Sequence, residues 1–428
     1  MPCAMHCRRY GAEPENDEKE GVKMAGDLKD LDRKFRDGFG GSGEVASETM
    51  QKAVSNWFSL YFDDQVTEQK DPSQRLACLI VQKLSRACFA EYRAEAEGFA
   101  GQCLGALEKV RRRAMQLALI GGEAWLKPVP DLKNRRIYFT VVRRDQALVL
   151  GRDGAGEVTE LGSAARILKN GRVFTLLEKR STDRLGRLVI ESRLFESRGD
   201  RLGNRVPLGI LPETAGLTPR LELPSVGGIG LAGLRLPMEN CVDGGPEGVS
   251  VYAAAAGLIQ AIDKGERQLN REFENGASRV FASADLLRRS GRGRELPEGL
   301  FVGLDDDPAS TGITIFSPEL RESSFLARKA EQLRNLESLV GLKRGLLGLV
   351  EAAPRTATEV TSSEGDYALT IAELRECWEN TARKALELAG RLGEIYGIPG
   401  AETQEPEVRF FWGDNDLRTG EANERRNT

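Results

Sequence analysis

The stretch 249–276, VSVYAAAAGLIQAIDKGERQLNREFENG, decides the reading of the fold. Val251, Ala255, Leu258, Ile262, Leu269 and Phe273 fall on one helical stripe, with Glu266 where the stripe asks for an apolar group. The spacing predicts a long helix that is only partly buried. After Gly276 come RVFAS (279–283), a short helix around Asp285 to Arg289, the basic turn SGRGRELPEG and the strands LFVGL and ITIF, a small β/α insert over 277–316. Ser317, Pro318 and Glu319 then supply a capping hydroxyl, a first-turn proline and a first-turn acid. A helix through Leu320, Phe325, Leu326, Leu333, Leu336 and Val340 follows from them. Two helices of similar length therefore bracket one small insert.

Working outward, GLKRGLLGLVEAAP (341–354) is interrupted by glycines and breaks the helical pattern. Thr356 and Glu359 form a capping box that opens the longest helix in the chain. Its face is Val360, Tyr367, Ile371, Leu374, Trp378, Ala385, Leu388, Leu392 and Ile395, with Thr381 in one gap, and it ends at Gly397 and Pro399. VRFFWGDNDLRTG (408–420) offers one strand and a polar tail. On the other side, 199–249 is rich in glycine and proline and leaves room only for short edge strands. Before it, GEAWLKPVP, IYFTVV, ALVLG, RVFTLLEKRS and RLVIESRLFES read as short strands of a small antiparallel sheet, joined by turns such as GRDGAGE and DRLGR. Three helical patterns precede the strands: one from Ser47 with Ala53, Trp57, Leu60 and Tyr61, one over Pro72 to Tyr92, and one over Phe99 to Ile120. Residues 1–42 are polar and glycine-punctuated, and a flexible arm is expected there. The fold class is α+β.

At 428 residues the chain is long enough for two or three domains. No apolar run is long enough to span a membrane, and the N-terminus is charged from Arg8 onward without the apolar stretch of a secretory signal, so a cytoplasmic site of synthesis and residence is expected. Lys and Arg number 61 against 65 Asp and Glu, which argues against a protein that coats nucleic acid over its whole surface. Any DNA contact must be local. The single histidine, His6, leaves Ser-His-Asp and HExxH chemistry without a residue in a folded part of the chain. The seven cysteines are an odd, scattered set and read as reduced thiols.

Several signals look chemical. Gly228, Gly230 and Gly233 match GxGxxG, yet Pro224 and Pro237 flank them and no helix follows to meet a pyrophosphate, so an ordinary glycine loop is expected. GGPEGVS (244–250) lacks the lysine of a phosphate-binding loop. Cys3, His6 and Cys7 are half a zinc site without a fold around them. Asp305, Asp306 and Asp307 could hold a divalent ion for a nuclease, but nothing local adds the further ligands, and an acidic loop is the better reading. Arg288, Arg289, Arg292 and Arg294 form one basic run, and Lys343 with Arg344 a second. Either suits phosphate backbone or a solvated loop.

Three stretches together resemble one family, the portal proteins of tailed bacteriophages, in the branch common among long-tailed phages and prophages. In 244–281 the residues that carry the likeness are Gly248, Ser250, Tyr252, Ala253, Asp263, Glu272, Phe273, Arg279, Val280 and Phe281. In RTATEVTSSEGDYALTIAE (355–373) they are Thr356, Ala357, Thr358, Glu359, Val360, Ser363 and Thr370, and FFWGDNDLRT resembles the strand and acid that follow the family's long helix. The likeness runs from about residue 120 to the end, and the N-terminal third matches only in character.

The resemblance implies a portal fold: an N-terminal arm over 1–42, a wing over 43–249, stem helices over 250–276 and 317–340, a clip over 277–316, a tunnel segment over 341–355, a long wing and crown helix over 356–398, and a terminal strand and tail over 399–428. Relatives usually continue with further helices, so a small crown is expected here. The family's function is structural rather than enzymatic and needs no cofactor. It forms a ring, usually of twelve subunits, at one capsid vertex, through which double-stranded DNA is packaged and ejected without sequence readout. Its partners are the terminase large subunit, then head-completion and tail adaptor proteins, with the major capsid and scaffold proteins around it. Assembly takes place in the host cytoplasm, and no membrane is involved. On that model Lys343, Arg344 and Arg355 of the tunnel segment meet DNA, and Arg288, Arg289, Arg292 and Arg294 of the clip meet partner proteins. A metal-dependent nuclease using Asp305 to Asp307, or another head-tail adaptor, are the competing readings.

Overall fold

The computed structural model describes residues 27–41, 43–62, 73–198, 201–276, 279–283, 301–304, 314–316, 321–348, 357–401 and 406–413; for 198, 279–283, 301–304, 314–316 and 357–364 it describes the backbone alone. The fold is mixed α+β. Helix α1 (Leu28–Phe39) corrects the expected arm: residues 28–39 are helical and packed. The Asp27 carboxylate caps it by accepting the Lys29 N–H at 3.0 Å, and Gly40 closes it in the left-handed region at φ 66°. Leu28, Leu31 and Phe35 are buried, and the Phe35 ring occupies the space that a side chain at Gly162 would need. Highly charged sequence hid a helix whose apolar partner lies more than a hundred residues away.

Helices α2 (Glu48–Phe62) and α3 (Leu76–Cys88) follow the expected pattern. The expected single helix over Phe99 to Ile120 is two, α4 (Gly98–Glu108) and α5 (Arg111–Gly121). The turn between them brings the Arg111 guanidinium over the rings of Phe89 and Tyr92, at 4.9 and 4.2 Å from their centroids. No glycine or proline marks that break, so periodicity runs straight through it.

The expected single sheet is also divided. Strands β2 (Glu123–Asp131) and β3 (Arg136–Arg143) form a three-stranded sheet with β10 (Ala232–Arg235), in the order β10-β2-β3. Strand β10 pairs with residues 123–126 of β2 and has ended before Pro128 and Pro130, so each proline sits where no donor is asked for on that edge. The second sheet runs β4 (Ala147–Arg152), β5 (Val158–Lys169), β6 (Arg172–Thr182), β7 (Leu188–Arg198) and β8 (Arg201–Val206), with β9 (Arg220–Leu223) also on β7. Both expected turns are built alike: Asp153 accepts the N–H groups of Ala155 and Glu157, and Asp183 those of Leu185 and Arg187, each at 2.9 Å. β5 escaped the sequence reading because its small residues, Gly162, Ser163, Ala164 and Ala165, show no clear alternation.

Helix α6 (Ala256–Asn275) leaves this body and α7 (Glu322–Leu339) returns to it. Between them lies a three-stranded sheet of β11 (Arg279–Ser283), β12 (Phe301–Leu304) and β13 (Thr314–Phe316), ordered β12-β11-β13, with β11 parallel to β12 and antiparallel to β13. Helix α8 (Ala357–Ile395) then crosses the body with Ile371, Leu374, Trp378, Ala385, Leu388 and Leu392 buried. The polar residue in its stripe, Thr381, is satisfied by donating to the carbonyls of Gly233 (3.1 Å) and Cys377 (2.8 Å). Last, β14 (Val408–Phe411) pairs antiparallel with β1 (Arg93–Ala96).

Candidate channel hairpin and partner-facing surfaces

The hairpin of α6 and α7 is the feature from which a site is built. Ala256, Ile259, Ile262 and Leu269 form its buried stripe on α6, with Leu333 and Leu336 on α7. Glu266, at the apolar position of the stripe, pairs with Lys329 of α7 at 2.7 Å. Near the small sheet, Arg321 clamps Glu272 with two bonds of 2.9 and 2.8 Å and holds that carboxyl below its usual range. The pairs 266 with 329 and 272 with 321 set the two helices antiparallel. An open cleft of about 290 Å³ between them is lined by Ala261, Lys264, Gln268, Phe325 and Arg328 among others. On the same two helices Phe273 and Leu326 are 44% and 48% exposed.

The hairpin is bolted to the body at its base. Gly122 (φ 79°) and Gly248 are so close that a Cβ on Gly122 would overlap the Gly248 backbone. Ser250 Oγ donates to the Leu119 carbonyl at 3.1 Å, and the fully buried Tyr252 hydroxyl donates to the Trp57 carbonyl at 2.8 Å. Asp263 accepts from Ser73 Oγ and from the Gln74 N–H, both at 2.9 Å, just before α3 begins.

Beside that base lies a buried charge cluster that sequence reading missed. Arg144 sits between Glu44 and Glu247, and Arg152 bonds Glu123 (3.0 Å) and Glu247 (2.7 Å). Glu123 also accepts the Gly248 N–H at 2.7 Å, and Glu44 the Val149 N–H at 3.0 Å. Burial pushes the Glu44 carboxyl up, Arg144 opposes that, and Glu247 adds to it. Burial also works against charge on Arg144 and Arg152, but the surrounding carboxylates outweigh it and both stay cationic. This network fastens residues 44, 123, 144–152 and 247 into one unit.

Residues 341–348 fold back under α7. Gly341 (φ 66°) and Gly345 (φ 89°) make the turns, and the buried Glu337 carboxylate accepts the N–H groups of Gly345 (2.8 Å) and Leu347 (2.7 Å). Leu342 is buried, and Leu346 and Leu347 rest against the chain's own core. Lys343 is half-buried in this turn and Arg344 is exposed. Arg288, Arg289, Arg292, Arg294 and Arg355 lie outside the described residues, as do Ser317 to Glu319, Thr356, Asp305 to Asp307 and Cys3, His6 and Cys7.

Gly228 and Gly230 stand in a loop in the left-handed region, and Gly233 lies in β10, so a strand rather than a helix follows the GxGxxG run. Among the described residues no group of three or more His, Cys, Asp or Glu is placed to hold a metal ion, and no helix is long and apolar enough to cross a membrane.

No protein-family model matches the chain, and no curated protein matches it. Among solved structures, it is similar to a chain in the virion of the native gene transfer agent (GTA) particle, at 13% identity and a TM-score of 0.42, covering 94% of this chain and 93% of that one. It is also similar to a chain in the neck of the native GTA particle computed with C12 symmetry, at 12% identity and a TM-score of 0.44, covering 91% of each. A chain in the neck of the empty GTA particle computed with C6 symmetry stands at 14% identity and a TM-score of 0.42, covering 94% of this chain and 92% of that one.

Proposed function

We propose that the chain is the subunit of a closed ring at a particle vertex, a portal protein through which double-stranded DNA is packaged and later ejected. The observation that carries this reading is the antiparallel pair of α6 and α7, which projects from an anchored body and brackets the small sheet of β11, β12 and β13. A helical hairpin anchored at one end and tipped by a small sheet suits a channel wall with a docking end. Apolar side chains left exposed on the pair support a ring, because Phe273, Leu326 and Leu339 would stay wet in a monomer. The sequence resemblance supports the same assignment. On this proposal the tip receives the terminase large subunit and then the head-completion and tail adaptor proteins, with Arg288, Arg289, Arg292 and Arg294 steering acidic partner surfaces. Capsid and scaffold proteins surround the wing, and the ring has twelve subunits. Exposed Arg344, with Lys343 and Arg355, attracts phosphate weakly and without sequence readout, so that DNA slides.

The test is direct. Native mass spectrometry and negative-stain imaging of the purified chain should give closed rings. A monomer at every concentration and salt would overturn the proposal, and metal-dependent cleavage of plasmid DNA would replace it with a nuclease. With rings in hand, Lys343→Glu combined with Arg344→Glu should leave assembly intact and shorten the packaged DNA. Full-length packaging at the normal rate would remove this segment from the DNA path.

A further inference from the structure

We infer that the ring, if the portal reading holds, closes through two oppositely charged helix faces of the same chain. Lys264, Arg267 and Arg271 on α6 of one copy meet Asp366, Glu373 and Glu376 on α8 of the next, around the exposed Leu369.

The argument begins with the charges that each helix has already used. On α6, Asp263 serves Ser73 and Gln74, Glu266 serves Lys329, and Glu272 serves Arg321. Lys264, Arg267 and Arg271 remain, spaced i, i+3, i+7; Arg267 and Arg271 lie on the side of the helix away from Ile259, Ile262 and Leu269, and Lys264 stands at the rim of the cleft toward α7. None of the three has an ion-pair partner among the described residues, and Glu274 is the acid that shares their arc at the far end. On α8, Ile371, Leu374 and Trp378 face the core. The opposite arc carries Asp366, Glu373 and Glu376, at i, i+7, i+10, all exposed and likewise without an ion pair among the described residues. Leu369 stands in the middle of that arc and is 57% exposed. At a rise of about 1.5 Å per residue the basic stripe is about 10 Å long and the acidic one about 15 Å, so the two match to within about a turn.

A head-to-tail ring needs two different surfaces that fit each other, and α6 and α8 present a basic and an acidic stripe of equal count. The acidic stripe repels DNA, which rules out phosphate as the occupant of that face. Pairing it with the basic stripe of the next copy neutralises three charges against three and takes Leu369 out of water. Such pairs contribute mainly to specificity and encounter, and reversing one side sets like charges opposite each other.

The experiment uses the full chain with wild-type rings as reference. Lys264→Glu, Arg267→Glu and Arg271→Glu are combined in one variant, and Asp366→Lys, Glu373→Lys and Glu376→Lys in another. Each variant alone should lose the ring and run as monomer in native mass spectrometry, with a circular dichroism spectrum and melting temperature like those of wild type. Mixed one to one, they should restore rings containing equal numbers of each, because strict alternation pairs every reversed face with its complement in an even-numbered ring. Either variant forming wild-type rings alone would overturn the inference. So would two folded variants that stay monomeric on mixing. Intact rings of the first variant with weakened DNA binding would assign the α6 stripe to DNA instead. A wild-type chain that never forms rings would refute the portal reading itself, a result distinct from all of these.

Discussion

Glu337 is the residue whose removal gives the sharpest test of the segment at 341–348. It lies in the last turn of α7, where the partial negative charge of the helix end disfavours a carboxylate. Its side chain is nonetheless buried, and its two oxygens are committed to the N–H groups of Gly345 and Leu347. Hydrogen bonds to a charged acceptor contribute about 1.5 to 3 kcal/mol each, so Glu337→Ala should raise the free energy of this turn by about 3 to 6 kcal/mol relative to its open form. Glu337→Gln keeps one acceptor and should cost about half of that. At about 1.4 kcal/mol per factor of ten, the Ala variant should speed amide exchange of Gly345 and Leu347 by at least about a hundredfold. Hydrogen exchange read by mass spectrometry on peptides covering 341–348 measures this directly. The Leu342 N–H, which donates to the Glu337 backbone carbonyl at 2.8 Å, survives the substitution and is the internal reference. Unchanged protection of residues 345 and 347 in Glu337→Ala would show that the carboxylate does not hold the turn.

Two further outcomes follow from the body. Burial alone would raise the Glu178 carboxyl, but Lys127 and Arg180, each bonded to it at 2.7 Å, hold it well below the usual range. Its stabilising contribution is therefore complete above the unfolded value of about 4.3 and lost as pH falls below it. Urea melts from pH 7 to pH 3 should show the penalty of Glu178→Gln shrinking in acid, and a penalty constant across that range would refute the assignment. Gly122→Ala meets both a left-handed φ of 79° and the Gly248 backbone, so it should yield insoluble chain or lower the melting temperature steeply, whereas Gly154→Ala, with open space around it, should melt like wild type.

What could be read from sequence was what repeats locally. The stripe of α8 announces itself because Ile371, Leu374, Trp378, Leu388 and Leu392 recur at helical spacing over many turns, and even its polar member, Thr381, stays within hydrogen-bonding reach of its own helix. Glu266 stood out as an anomaly in an apolar stripe, and the anomaly was real: its partner is Lys329 on the returning helix, which no local window contains. The charge cluster at the base was illegible for the same reason. Glu44, Glu123, Arg144, Arg152 and Glu247 look like ordinary surface charges one at a time and become a buried network only when four separate segments converge. Asp305 to Asp307 and the basic run at 288–294 belong to the small insert, and their place in it is outside the described residues.

The residues that carry the sequence likeness and the residues proposed to act are largely different sets, and the structure gives the reason. Gly248 lets two backbones touch, Ser250 and Tyr252 bond the carbonyls of Leu119 and Trp57, and Asp263 caps the approach to α3. All four fasten the foot of α6 to α2, α3, α5 and the first strand of the three-stranded sheet. Such positions tolerate little change, because a buried hydroxyl, a close glycine or a capping carboxylate has one geometry to satisfy. By contrast, Lys264, Arg271, Arg344 and Glu373 are exposed, and packing sets no constraint on them. These contacts fix where α6 leaves the body. On the proposed function the charges on the exposed faces select what the hairpin meets, so substitutions at the foot should destroy the fold and only substitutions on the faces can separate one function from another.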